Sequence, residues 1–235
     1  MLVLLLRMML WSQEHGADCA DSDAAVSKHR EVLGLTGHKP IIQEGCFIAP
    51  TAGVSGEVTV GAGSSIWYGA FVKGDRSKVS IGSNTTIQEG AVIQGGKGPV
   101  TIGSNATVGQ GAVIGAATIG DSATVGAKAS VGDGAVIESG AAVAARSSVA
   151  PKTTVPAGSL FGGNPAVFLR QLSSEEVAAM SKTVDSAKAM APSHAAECNK
   201  TFAEIELEKK DYVWKLPKVN KDPLGLLSEQ RAVYW

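Results

Sequence analysis

The apolar positions of this chain follow neither a helical nor an alternating period through its middle. Ile48, Val54, Val60, Ile66 and Val72 are spaced by six, and the spacing resumes at Ile81, Ile87 and Ile93, then at Ile102, Val108 and Ile114. It ends with Ile119, Val125, Val131, Ile137, Val143, Val149 and Val155, making eighteen positions, all Val or Ile. Two residues before them stand small side chains such as Ala52, Ser64, Ala70, Thr85, Ala91, Ala106 and Ala112, and the residue after is often glycine, as at Gly61, Gly82, Gly103 and Gly126. Three constraints held in phase over a hundred residues exclude chance.

A period of six fits a short strand and a turn, repeated. The β-branched residue points into a narrow core, the small residue fits the corner, and glycine supplies unusual backbone angles at the turn. Three hexads close one triangular coil of a parallel β-helix, so eighteen hexads predict about six coils. At ~4.8 Å per stacked strand the prism would be roughly 29 Å long. A sandwich with regular turns would need longer, alternating strands.

Nine residues separate Val72 from Ile81, nine separate Ile93 from Ile102, and five separate Ile114 from Ile119. Loops are expected at these breaks, the 94–100 stretch QGGKGPV above all, and functional groups tend to sit on such loops. Beyond the prism, Ser173 and Glu176 read as a capping box. Val177, Met180, Val184, Ala187 and Ala191 follow at helical spacing, so one helix face would lie along the prism. Pro192 is expected to end or kink that helix. The predicted organisation is a segment 1–43, a β-helix over 44–160, a helical region 161–192, and an extended tail 193–235 lying on its own surface or a partner's.

Composition narrows the function classes. The net charge of −1 over 235 residues gives no case for nucleic acid. Cys19, Cys46 and Cys198 are far apart and form no CxxC pair, so isolated reduced thiols are expected rather than a disulfide framework or a cysteine zinc site. The N-terminal MLVLLLRMMLW is too short to span a bilayer. It fits a secretory signal, an organelle-targeting segment or an interfacial helix at a membrane surface.

SSIWYGAFVKGD (64–75), VSIGSNTTIQEGAVIQ (79–94), VTIGSNATVGQGAVIGAATIGD (100–121) and GSLFGGNPAVFLRQLSSEE (158–176) resemble the gamma-class carbonic anhydrases. SHAAECNKTFAEIELEK (193–209) resembles the branch that serves as subunits of mitochondrial respiratory complex I in plants and algae. The resemblance implies an all-β fold, a left-handed parallel β-helix that forms trimers. That hand comes from the resemblance alone, since ordinary parallel crossovers are right-handed. It also implies a zinc held between subunits, two histidines from one side and one from the neighbour, generating hydroxide for attack on CO2.

The family's three histidines fall on Gln94, Gln110 and Gly115. Amide oxygens are poor zinc ligands and glycine has no side chain, so this chain is expected to contribute no zinc ligand. His15, His29, His38 and His194 lie outside the repeat and read as solvated or singly hydrogen-bonded. Gln88 falls on a Gln the family uses beside the metal, and Glu89 replaces its Asp. Asp75 stays where the family has Arg–Gly–Asp, while Lys73 replaces the Arg and loses its bidentate fork. Lys73, Asp75, Gln88 and Glu89 therefore read as a polar interface network, and Trp67 as packing.

The resemblance implies a non-catalytic complex I subunit. It would sit in a heterotrimer with zinc-bearing relatives, peripheral on the matrix side of the inner mitochondrial membrane. Zinc would then be possible only between two intact relatives. Two alternatives stand. An active carbonic anhydrase would need other ligands, with Glu89, Asp75 and Glu138 as acidic candidates. A hexapeptide-repeat acyltransferase would need a base that the coils lack.

Overall fold

The computed structural model describes residues 30–35 and 37–215, the side chains of 210–215 excepted. The N-terminal apolar segment, Cys19, His15 and His29 lie outside the described residues, as does the tail beyond 215.

Parallel strand pairing stacks the inward aliphatics into three columns, one per face of a prism. Face 1 carries Ile48, Ile66, Ile87, Val108, Val125, Val143 and Phe161. Face 2 carries Val32, Val54, Val72, Ile93, Ile114, Val131 and Val149. Face 3 carries Ile42, Val60, Ile81, Ile102, Ile119, Ile137 and Val155. Seventeen of the eighteen expected positions are buried, and Ile48 at the open end is half-buried. Each buried Val or Ile contributes about 1.5–3 kcal/mol of transfer free energy.

Seven rungs stand on each face, one coil more than the eighteen hexads imply. Ile42 and Phe161 continue the period at either end, and Val32 supplies the remaining rung. Ile42 breaks the companion pattern, with Pro40 before it and Gln43 after it. Phe161 keeps the spacing with an aromatic ring, and Val32 lies off the period.

The turn chemistry divides differently from the expectation. At two of the three corners the left-handed residue mostly stands three places after the aliphatic, not one: Gly63, Asn84, Asn105 and Ser122 line the corner between faces 3 and 1, with φ of 69°, 54°, 55° and 55°. The glycine directly after the aliphatic meets a different demand. A Cβ on Gly82 would lie 2.6 Å from the carbonyl carbon of Gly103, and one on Gly126 would lie 2.5 Å from the amide nitrogen of Ala145. Those glycines allow successive coils to stack backbone on backbone. At the small-residue position, Ser64 and Thr85 donate to the carbonyls of Gly82 and Gly103 in the next coil, at 2.8 and 2.7 Å.

All three breaks fall on one corner, between faces 2 and 3. The first is no loop: Phe71–Ile81 is one continuous strand, paired with the equally continuous Gly53–Val60 across a register shift at Gly56/Val58. The register steps from Gly56↔Gly74 to Val58↔Val79, so residues 75–78 stand opposite Glu57 alone as a bulge within the strand, with Asp75, Arg76 and Lys78 exposed. The second break does form a loop, over 95–99.

After the seventh coil, Val167–Gln171 pairs antiparallel with Ser159–Gly162 and turns the chain back. Helix α1 (Ser174–Cys198) starts at the expected capping box: Glu176 N–H donates to Ser173 Oγ, and Ser173 N–H to Glu176 Oε2. It packs over the first strands of face 1, with Val184 and Ala191 buried and Lys188 Nζ donating to Asn84 Oδ1 at 2.9 Å.

The helix does not end at Pro192 but runs through it to Cys198, and α2 (Phe202–Lys215) follows where an extended chain was expected. Proline removes one backbone bond, to the carbonyl of Lys188. Pro192 and Lys188 are both exposed, so water can take that carbonyl, while contacts on either side of the proline hold the helix down. Among the described residues no helix is long and apolar enough to cross a membrane.

Candidate functional site

Side chains directly after the face 2 aliphatics stack along the corner with face 3. Ser55 registers with Lys73, Lys73 with Gln94, and Gly115 follows on the rung of Ile114. Gln110 stands instead on the corner between faces 1 and 2, one rung from Glu89, after the strand Thr107–Val108. The structure thus brings Gln94 and Gly115 together on one edge of face 2 and holds Gln110 at the other edge.

The Gln94 corner opens a pocket of about 370 Å³, lined by Lys73, Asp75, Arg76, Gln94, Gly95 and Gly96. Asp75 Oδ1 accepts from Ser55 Oγ at 2.8 Å. No ion pair joins Lys73 to Asp75 among the described residues, although both are exposed side by side. Lys73 and Arg76 leave this pocket with a cationic excess over Asp75.

At the other edge, the amide of Gln110 is already engaged. Its Nε2 donates to Glu89 Oε2 at 3.0 Å, and its backbone N–H donates to Gln88 Oε1 at 3.1 Å. Gln88, Glu89 and Gln110 line a cleft of about 220 Å³ between face 1 and α1, together with Trp67 and Met190. Trp67 is 5% exposed in the core and donates to Ser65 Oγ at 3.1 Å, so it packs.

The space a side chain on Gly115 would need is held by the end of a neighbouring side chain, Asp133. Asp133 Oδ1 accepts from the N–H of Ala116 at 3.0 Å, and a Cβ on Gly115 would collide with that same oxygen. Sequence reading alone did not single out Asp133. Its signal is a position two residues after Val131, where a carboxylate can reach the previous coil, as Asp121 Oδ1 does to Ser104 N–H at 2.7 Å.

These residues do not fit a zinc ion. The positions where the sequence resemblance expects imidazoles present one exposed amide, one amide engaged by Glu89, and a glycine whose open side holds a carboxylate. Among the described residues, no three His, Cys, Asp or Glu side chains cluster in a way that could hold a metal.

A second constellation was not legible as one. His194 sits among Trp67, Tyr68 and Phe47, at ring-centroid distances of 5.0, 5.8 and 6.2 Å. Tyr68 OH lies 3.1 Å from His194 Nδ1 and 3.4 Å from Cys198 Sγ. The available signal was the helical spacing of Ala187, Ala191, His194 and Cys198, which continues past Pro192.

No protein-family model matches the chain. It is 40% identical over 191 residues to gamma carbonic anhydrase 2, mitochondrial, of Arabidopsis thaliana, covering 78% of this chain and 69% of that one. It is 39% identical over 191 residues to gamma carbonic anhydrase 3, mitochondrial, of the same plant, covering 78% and 74%. Among solved structures, a hexapeptide transferase family protein from Anaplasma phagocytophilum superposes with a TM-score of 0.68 at 34% identity, covering 70% of this chain and 99% of that one.

Proposed function

The chain belongs to the gamma carbonic anhydrase family, and from that premise we propose that it is a non-catalytic member, a structural and assembly subunit of mitochondrial complex I. The observation that carries this reading is the state of the three ligand positions. Gln94 and Gln110 offer neutral amides, and Gly115 offers nothing while Asp133 fills the space beside it. The prism, in contrast, keeps all its rungs.

In the proposed assembly this chain joins histidine-bearing relatives in a heterotrimer on the matrix side of the inner membrane. The mitochondrial relatives support the organelle, and the 193–209 resemblance supports the complex. A shared site has a direct consequence. One such chain among three removes ligands from two of the three interfaces, so zinc can bind only between the two intact subunits. Lys73, Asp75, Gln88 and Glu89 then act as interface polar groups.

Native gel separation of mitochondrial membranes, with mass spectrometry to locate the chain, tests the assignment. Co-migration with complex I alongside histidine-bearing relatives is expected, and migration as a free homotrimer would remove it. Zinc content and CO2 hydration of the purified chain test the non-catalytic part. Both are expected at background, and stoichiometric zinc in a homotrimer would overturn it.

A further inference from the structure

The seam between α1 and the first coil holds a set of reactive groups remote from the ligand corner. Cys46 is half-buried and directs its thiol to the carbonyl of Gly61 at 3.1 Å. Cys198, exposed, is the last residue of α1. Both line one pocket of about 290 Å³, with Glu31 and Ala195. Two thiols separated by 152 positions in the chain, taken as isolated on sequence, thus share one cavity.

Cys198 also has a hydrogen-bonded route to an imidazole. Tyr68 OH bridges its sulfur and Nδ1 of His194, one helical turn earlier. In the thiol form, Tyr68 donates to His194 Nδ1 and accepts from the Cys198 S–H. Moving a proton along the bridge reverses both bonds. His194 then donates to the phenol oxygen, and the phenol donates to a Cys198 thiolate. The bond to Cys198 raises the pKa of Tyr68, which keeps the phenol protonated as that donor. Glu31 is the acidic group facing the pocket, and Lys200 is drawn away by Glu197 and Glu208.

We propose that Cys198 and Cys46 form a hydroperoxide-reactive thiol pair that closes to a disulfide, tying the end of α1 to the first coil. The Cys198 thiolate attacks one peroxide oxygen and the O–O bond breaks. Cys198 becomes a sulfenic acid, and the departing alkoxide or hydroxide takes the proton held on His194. Cys46 then attacks the sulfenic sulfur, the S–S bond forms, and the hydroxyl leaves as water with the Cys46 proton. Two thiols are oxidised by two electrons and one hydroperoxide is reduced to water or an alcohol. This site is independent of the zinc positions and of the complex I assignment.

The test treats the purified full chain with one equivalent of hydrogen peroxide and maps its peptides by mass spectrometry. A Cys46–Cys198 cross-linked peptide is expected as the main product. In Cys46→Ser, Cys198 should instead be trapped as a dimedone-labelled sulfenic acid. Tyr68→Phe should slow iodoacetamide alkylation of Cys198 about tenfold, the value of one hydrogen bond to a charged group, and leave Cys46 unchanged. Unfolded variants are identified by thermal melting, and the wild-type cross-link stands without them. Oxidation directed to Cys19, or a Cys198 no more reactive than in urea-unfolded chain, would overturn the proposal.

Discussion

The interior of the prism and the corner between faces 2 and 3 are built from the same hexads but carry opposite histories. Every interior rung is a Val, Ile or Phe in register with the rungs above and below. The corner column beside it reads Ser55, Lys73, Gln94, Gly115, changing character at each step. An interior side chain must match neighbours on all sides at near-crystalline density. A corner side chain needs only to be accommodated. Side chains on the corner can therefore change while the scaffold that presents them remains intact.

The sharpest way to break this contrast is to make matched deletions. Ile114→Ala, at a fully buried rung, is expected to lower the unfolding free energy by about 2–5 kcal/mol. Gln94→Ala, one rung away on the corner, should stay within about 0.5 kcal/mol. Urea unfolding measures both, and equal losses would show that the corner bears structural load.

Restoring the donors sharpens it further. Gly115→His must displace Asp133 from the Ala116 N–H, at a cost of about 1–3 kcal/mol for a charge-assisted hydrogen bond lost. Gln94→His, Gln110→His and Gly115→His combined should recruit zinc poorly. Adding Asp133→Ala should raise the metal content measured after dialysis. Equal zinc uptake with and without that fourth change would show that Asp133 does not close the site.

Smaller effects belong to the seam on face 1. His194→Ala removes one hydrogen bond and an edge-on ring contact with Trp67, an expected loss of about 1–2 kcal/mol in chemical unfolding. Smallest of all is the pair of Arg170 with Glu176, at 2.5 Å but 52% and 37% exposed. The hydrogen bonds from Arg170, and then from the Ser173 backbone, hold Glu176 down from an ordinary 4.5 to about 2. A carboxylate depressed by folding stabilises the fold above its unfolded pKa. That stabilisation is lost as pH falls from about 4.5 through about 2. Arg170→Ala should move the Glu176 carboxyl titration, followed by NMR, upward toward the ordinary value, with little change in melting because the pair is solvated.

Much of the fold was legible because its determinant is local and repeated. Val60, Ile81 and Ile102 recur in phase with their small and glycine companions, and the pattern can be read without knowing what each residue touches. Reading stopped where the companions failed: Ile42, with Pro40 and Gln43 beside it, and Phe161, aromatic among aliphatics. The glycine that often follows an aliphatic was legible as necessary but not in its role. Close approach to the next coil requires it, while Asn84 and Ser122 take the left-handed angle. At the ligand corner, the absence of histidine was legible residue by residue on the family resemblance. The occupancy of the Gly115 space by Asp133 was not, because the two lie eighteen positions apart and meet only when coils stack.

The sequence by itself determined the coil, the inward columns, the capping box of α1 and the chemical poverty of Gln94, Gln110 and Gly115. Each of these is a property of residue type at a position within one repeat. Only the tertiary structure decided which distant residues meet. It carried α1 through Pro192, because the contacts of Ala191 and His194 with the prism outweigh one missing backbone bond. It set Tyr68, His194, Cys198 and Cys46 around one seam, since the return of the chain after the seventh coil lays the end of α1 on the first. Periodicity encodes a core whose neighbours are fixed by the period, whereas a seam between a repeat and a helix has no period to encode it.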